Sequence, residues 1–169
     1  RMTGAPMSAA ASIAPFQHPP DPGPMDVKAR QALDAFAKRA APAIADSYNN
    51  LGAMAAGASE FATATGYFAN AGKWNPSLEG LDYNWGRAAF SAQLYAQAVP
   101  PLSRYLATHP QEAGARRVLG ISYFMVKDYA AVVQTLRPIA PSLAATPQLA
   151  SMYAQSLAHS QKKGTDVQP

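Results

Sequence analysis

The stretch Asn49–Phe68, NNLGAMAAGASEFATATGYF, decides how this chain folds. It is crowded with alanine and threonine, contains three glycines and has few large apolar residues. Such a composition suits either a flexible loop or helices whose backbones approach closely. The choice depends on whether the same pattern returns elsewhere in the chain.

The stretch is the first of three copies of one pattern. The pairs Leu51-Gly52, Trp85-Gly86 and Leu119-Gly120 stand 34 residues apart. Internal repetition at one fixed period is typical of proteins built from stacked structural units. The same offset joins Phe61, Tyr95 and Tyr129; Ala64, Ala98 and Val132; Phe68, Leu102 and Leu136; and Ala71, Tyr105 and Ile139.

Each period contains two apolar helical patterns separated by a short polar break. In the third copy, GARRVLGISYFMV is followed by KD and then by YAAVVQTLRPIA. Neither helix alone can bury its apolar stripe, but neighbouring hairpins share a continuous core. The sequence predicts helical hairpins at about 45–76, 79–110 and 113–141, and a closing helix at about 147–161.

The N-terminal part differs in composition. Six prolines fall within the first 24 residues, and a segment such as HPPDPGP can form neither a helix nor a central strand. From Asp26 the apolar residues adopt helical spacing, which predicts a helix that Asp26 caps and Pro42 ends. This helix is either a cap on the first copy or a degenerate half repeat. Prolines at 100, 101 and 138 predict second helices that kink or start late.

The three copies resemble the tetratricopeptide repeat, whose pattern is W-x2-L-G-x2-Y, A-x3-F and P. The resemblance implies an all-α fold, a right-handed α-solenoid of stacked antiparallel hairpins with a closing C-terminal helix. It departs from the family at the tryptophan position, where copies two and three carry Asp82 and Arg116. The matching residues are Leu51-Gly52, Ala64, Phe68 and Pro76; Trp85-Gly86, Ala98, Leu102 and Pro110; and Leu119-Gly120, Tyr123, Val132 and Leu136.

The sequence thus divides into segments that we name here. They are a Pro-rich extended tail or linker (1–25), an N-terminal helix (26–42), copy 1 (45–78), copy 2 (79–112), copy 3 (113–146), a closing helix (147–163) and a disordered tail (164–169).

Composition narrows the class of protein. The 169 residues suit one domain, and the hydrophobic content of 49% favours a packed core. No apolar run approaches the roughly 20 residues of a membrane span. The absence of cysteine excludes disulfides and thiolate metal sites, and leaves the compartment open between cytoplasm and periplasm. The net charge of +4 comes from scattered bases, which disfavours nucleic-acid binding.

No arrangement of residues indicates catalysis. His18, His109 and His159 lie far apart in the sequence, and no known catalytic or nucleotide-binding motif occurs. We therefore expect no enzyme activity, no metal and no cofactor.

The resemblance implies a binding groove lined by the first helix of each hairpin. Tyrosine and arginine are frequent binding anchors, whereas Phe90, Ile121 and Phe124 fit either the groove or the core between helices, an alternative that stays open. The predicted groove residues are Asn49, Tyr83, Asn84, Arg87, Phe90, Arg117, Ile121 and Phe124.

These residues predict a protein or peptide partner. The aromatic and cationic strip suits apolar side chains together with an acidic group or a C-terminal carboxylate. Copy 1 offers only Asn49, Ala53 and Ala56, so its face is predicted to be nearly featureless, and specificity is expected from copies 2 and 3. The alternative is a structural module that self-associates through its ends or through the tail, which carries Ile13 and Phe16.

Overall fold

The computed structural model describes residues 26–165, with side chains described as far as Gln161. This part of the chain is helical and contains no strand, which confirms the all-α class. Predictions for the tail at 1–25 lie outside the described residues. The helices are α1 (Val27–Gly57), α2 (Phe61–Trp74), α3 (Leu81–Ser91), α4 (Tyr95–Thr108), α5 (Ala113–Met125), α6 (Tyr129–Leu136), a 3₁₀ helix (Arg137–Ala145) and α7 (Pro147–Thr165).

Helix α1 runs without interruption through Pro42, so the prediction that this proline ends the helix is wrong. Alanine, the strongest helix former, surrounds the proline at positions 40, 41, 43 and 45, and this local preference opposes the cost of the missing hydrogen bond. The start is as predicted, because the Asp26 carboxylate accepts a hydrogen bond from the Lys28 N–H at 3.2 Å.

The chain divides into two units between Phe36 and Ala37. The described part of the first unit, residues 26–36, is the start of α1 and exposes its apolar side chains. The second unit contains the rest of α1 and all later helices, and it carries the predicted groove residues.

The turn inside each hairpin has the same backbone conformation in all three copies. Ser59, Gln93 and Lys127 adopt left-handed φ angles of 62°, 60° and 63°, and they stand 34 residues apart. Around each of them two backbone N–H groups bond back to carbonyls in the last turn of the first helix, at 2.8–3.0 Å. These paired bonds form a Schellman motif, which ends a helix and reverses the chain. The 34-residue period of the sequence therefore corresponds to a turn conformation that recurs in every hairpin.

The two helices of each hairpin approach closely at a glycine. A Cβ atom placed on Gly52 would lie 2.7 Å from the Phe68 ring, and one on Gly120 would lie 2.5 Å from the Leu136 side chain. Gly86 faces Leu102 in the same way. The small residues of the opening stretch therefore permit packing that a larger side chain would prevent.

Packing follows the order of the chain. Each helix from α2 to α7 contacts the next one, and α5 also contacts α3 and α7. Buried residues form three clusters, the first between α1, α2 and α3, the second between α3, α4 and α5, and the third between α6, the 3₁₀ helix and α7. Alanine supplies many of the buried positions, among them Ala64, Ala89 and Ala98, each fully buried.

The interior prolines act differently in the two second helices. Helix α4 starts at Tyr95 and contains Pro100 and Pro101, so the predicted late start does not occur there. Helix α6 stops at Leu136, and the chain continues past Pro138 as a 3₁₀ helix. The α-helix does stop next to Pro138, but α6 ends early there instead of starting late as predicted.

Helix α7 extends to Thr165, beyond both the helical pattern at 147–161 and the closing-helix segment at 147–163. Residues 164 and 165 are therefore helical, contrary to the predicted disordered tail, and the remainder of that tail, 166–169, lies outside the described residues.

Candidate functional site

A cavity of about 280 Å³ lies between the C-terminal half of α1, α2 and α3. We call it the Ala56 pocket. Its floor includes buried Phe68 and Ala88, and its rim carries the exposed polar side chains of Asn84, Arg87 and Ser91. The complete lining is Ala53, Ala56, Phe61, Phe68, Asn84, Arg87, Ala88 and Ser91.

The pocket exists because copy 1 has a small residue where the other copies have an aromatic ring. The position of Ala56 corresponds to Phe90 in copy 2 and to Phe124 in copy 3. Phe90 packs edge-on against Tyr95, with ring centroids 5.7 Å apart and planes at 71°. Phe124 packs against Tyr129 at 5.7 Å and 72°. In copy 1 the alanine leaves the corresponding space open.

Arg87 connects the pocket with a neighbouring aromatic surface. Its guanidinium carbon lies 5.4 Å from the centroid of the Tyr83 ring, within the range of a cation–π contact. This contact holds the cation at the rim of the pocket while the side chain stays exposed. Asn84, on the same helix, lines the same cavity. The structure thus brings together three of the predicted groove residues.

Tyr83 belongs to a row of rings on the other side of Arg87. Its ring lies 4.8 Å from that of Tyr105, which in turn stacks on His109 at 4.3 Å. Partial burial raises the pKa of the Tyr105 phenol above its ordinary value, and the Glu112 carboxylate and Tyr83 add to the rise. The phenol therefore stays neutral at physiological pH.

Asn49, the predicted groove residue on α1, does not line the pocket. Its side-chain oxygen Oδ1 is buried and accepts no hydrogen bond within the described part of the protein. Tyr48, its neighbour in sequence, packs instead against the first buried cluster and lies 6.5 Å from the ring of Tyr67.

The predicted residues of α5 lie away from the pocket. Arg117 is exposed, whereas Ile121 and Phe124 are half-buried and pack against the third buried cluster. Phe90 of α3 is likewise half-buried, against the second cluster. Of the two alternatives for these three apolar residues, the structure therefore shows substantial core packing with part of each side chain still accessible.

Sequence reasoning missed the floor of the site. Phe61 and Phe68 come from the second helix of copy 1, whereas the predicted groove residues all lie on first helices, and Ser91 ends α3. The face of copy 1 was predicted to be featureless, but its small residues create a cavity there. Comparison of the copies contains the signal, because Ala56 breaks the aromatic series of Phe90 and Phe124.

Comparison of the sequence with models of known protein families finds no match. A search of curated proteins likewise finds no significant similarity. The resemblance to the tetratricopeptide repeat therefore rests on the repeated residues themselves. Among the described residues, no helix combines the length and the apolar character that crossing a membrane requires.

Proposed function

We propose that this protein is a non-catalytic interaction module of tetratricopeptide type. In this proposal the helices form a right-handed α-solenoid, and the first helix of each hairpin lines a groove that binds a segment of a partner protein. The observation that carries the proposal is the Ala56 pocket, a cavity that combines apolar side chains with a polar, cationic rim on the helix face predicted to bind.

The chemistry of the pocket suits a peptide. Binding sites for flexible ligands combine an apolar depression, which accepts a side chain, with a few polar groups that fix orientation. Arg87 supplies several N–H donors at the rim, and Asn84 supplies an amide. Arg117 adds a second exposed cation on α5. A partner with an acidic group or a free C-terminal carboxylate would be attracted to these charges.

The proposal is tested by selecting ligands from a random peptide library and measuring the affinity of the double variant Arg87→Ala, Arg117→Ala. We expect binding to weaken about tenfold or more, because arginine anchors carry a large share of interface energy. The dependence of affinity on salt should also decrease. Arg137→Ala is the matched control, since Arg137 is exposed on the 3₁₀ helix. Unchanged affinity and salt dependence in the double variant would contradict the groove assignment.

A second candidate function is self-association, with another copy of this chain as the partner. The start of α1 exposes large apolar side chains, with Val27 69%, Leu33 51% and Phe36 61% accessible. Exposed apolar groups on one short segment are a common feature of interaction surfaces. Light scattering of the full chain, of residues 26–169 and of Phe36→Asp tests this candidate. A monomeric mass for the full chain at every concentration excludes it.

A further inference from the structure

We propose that the Ala56 pocket is a specificity pocket for an aromatic side chain of the bound peptide, and that phenylalanine is its preferred occupant. The inference rests on the proposed peptide-binding function and names the feature of the ligand that the site selects.

The first argument comes from the internal repetition. In copies 2 and 3 the chain itself places a phenylalanine ring edge-on against the aromatic residue that begins the second helix. Copy 1 retains that aromatic partner, Phe61, but has Ala56 in place of the ring. In copies 2 and 3 a phenylalanine of the chain itself therefore fills this position, whereas in copy 1 the same position is open to the phenylalanine of a ligand.

The second argument is size. An apolar protein cavity of about 150 Å³ can hold a benzene molecule. The Ala56 pocket measures about 280 Å³, so a phenyl ring and its methylene group fit within it. Edge-to-face contact with Phe61 would add to the stabilisation that burial of the ring provides.

The third argument is polarity. The floor includes buried Phe68 and Ala88, whose side chains offer no hydrogen bond, so the hydroxyl of a tyrosine that reached this floor would lose its hydrogen bonds to water. Lysine and arginine are disfavoured by the Arg87 cation, and no acidic side chain belongs to the lining. At the rim, Asn84, Arg87 and Ser91 offer hydrogen bonds to the main chain of the peptide.

The probe is N-acetyl-phenylalaninamide, titrated into the full chain and followed by the NMR shift of the Ala56 methyl group. N-acetyl-alaninamide and N-acetyl-tyrosinamide serve as comparison probes. We expect saturable binding of the phenylalanine probe and affinity about tenfold weaker for the other two. Equal affinity for the phenylalanine and alanine probes would overturn the proposal.

Two variants locate the binding. Ala56→Phe should fill the pocket with its own ring, so that binding of the phenylalanine probe is lost while the melting temperature stays the same or rises. Ala96→Phe, on the exposed face of α4, is the matched control and should leave binding unchanged. Phe61→Leu, which removes the aromatic partner without altering position 56, should weaken binding of the same probe. Full binding by folded Ala56→Phe or by Phe61→Leu would overturn the proposal.

Together, the peptide-library and probe experiments distinguish failure of the phenylalanine pocket from failure of the peptide-binding function on which it rests. If library peptides bind through Arg87 but show no need for an aromatic residue, the specificity pocket is wrong and the peptide-binding function stands. If no library peptide binds while the phenylalanine probe enters the pocket and Ala56→Phe excludes it, the pocket is supported and the peptide-binding function fails.

Discussion

Gly52, Gly86 and Gly120 show how a single hydrogen atom in place of a methyl group sets the distance between two helices. Each lies opposite a large buried side chain of the second helix, so that the glycine and its partner form one contact. Gly66 is different. It lies on the exposed face of α2, and apart from its chain neighbours and the adjoining helix backbone no atom lies within 4 Å of the position that a Cβ would take.

The contrast predicts opposite effects of the same substitution. Gly66→Ala should raise the free energy of unfolding by about 1 kcal/mol, because alanine is the better helix former and nothing obstructs its methyl group. Gly52→Ala should lower it, because the added Cβ would lie 2.7 Å from the buried Phe68 ring and overpacking a core contact costs about 1–3 kcal/mol. Urea unfolding of both variants checks the signs.

A stabilised Gly52→Ala would mean that α1 and α2 can separate at little cost. A lower free energy of unfolding for Gly66→Ala would mean that another part of the protein packs against the face of α2 that carries Gly66. Either result would contradict the packing described for the first hairpin.

At the scale of the element, the turn inside each hairpin places a side chain in a conformation that usually belongs to glycine. Ser59, Gln93 and Lys127 all have positive φ, and an L residue held there loses about 1–2 kcal/mol relative to the right-handed region. Glycine avoids this cost, although it gives up more conformational freedom on folding.

Gln93→Gly should therefore stabilise the protein by roughly 0.5–1 kcal/mol, the steric relief exceeding the entropic cost. Gln93→Val should destabilise it, because a β-branched side chain is a marked outlier at positive φ. Gln93 is exposed, so neither change disturbs a buried contact. Thermal unfolding compares the two variants, and equal melting temperatures would contradict the left-handed turn.

Helix α1 illustrates the limit of local signals at this scale. Pro42 predicted a helix end because it cannot donate the hydrogen bond, yet the helix continues to Gly57. Proline at 138 does coincide with the change from α6 to a 3₁₀ helix. Helix α4 also continues through its prolines, Pro100 and Pro101, so a proline in the sequence does not by itself show where a helix ends.

At the scale of the whole unit from residue 37 onward, buried contacts occur in three successive clusters rather than in one centre. When each helical unit packs mainly against its neighbours, stability derives from each unit and from the contacts between neighbours. A destabilising substitution in the last cluster should therefore affect mainly the helices around it. A destabilising substitution in the middle cluster should affect the helices on both sides.

Leu143→Ala tests this expectation, since Leu143 is 3% exposed and belongs to the third cluster. Removal of a buried leucine side chain costs about 2–5 kcal/mol. We expect amide hydrogen exchange to accelerate in α6 and α7, with little change in α2 and α3. Leu102→Ala, in the second cluster, is the comparison and should accelerate exchange throughout the unit. Equal exchange profiles for the two variants would indicate a single cooperative core instead.

The candidate site was only partly predictable. Arg87, Asn84 and Tyr83 share one helix face, which spacing reveals without a structure. The cavity beside them depends on Phe61 and Phe68, which lie on another helix and come close only when the hairpins stack. Contacts between residues that are far apart in the sequence leave no local pattern. The small side chains of copy 1 were therefore predicted to form a nearly featureless face.

Apolar spacing and recurring glycines act over a few residues, so the amino-acid sequence was enough to predict the helical class, the 34-residue period and the three hairpins. It did not predict that α1 continues through Pro42. The open pocket beside Ala56 is a property of the tertiary structure, because a cavity forms only where several helices meet around a side chain that is too small to fill the space between them.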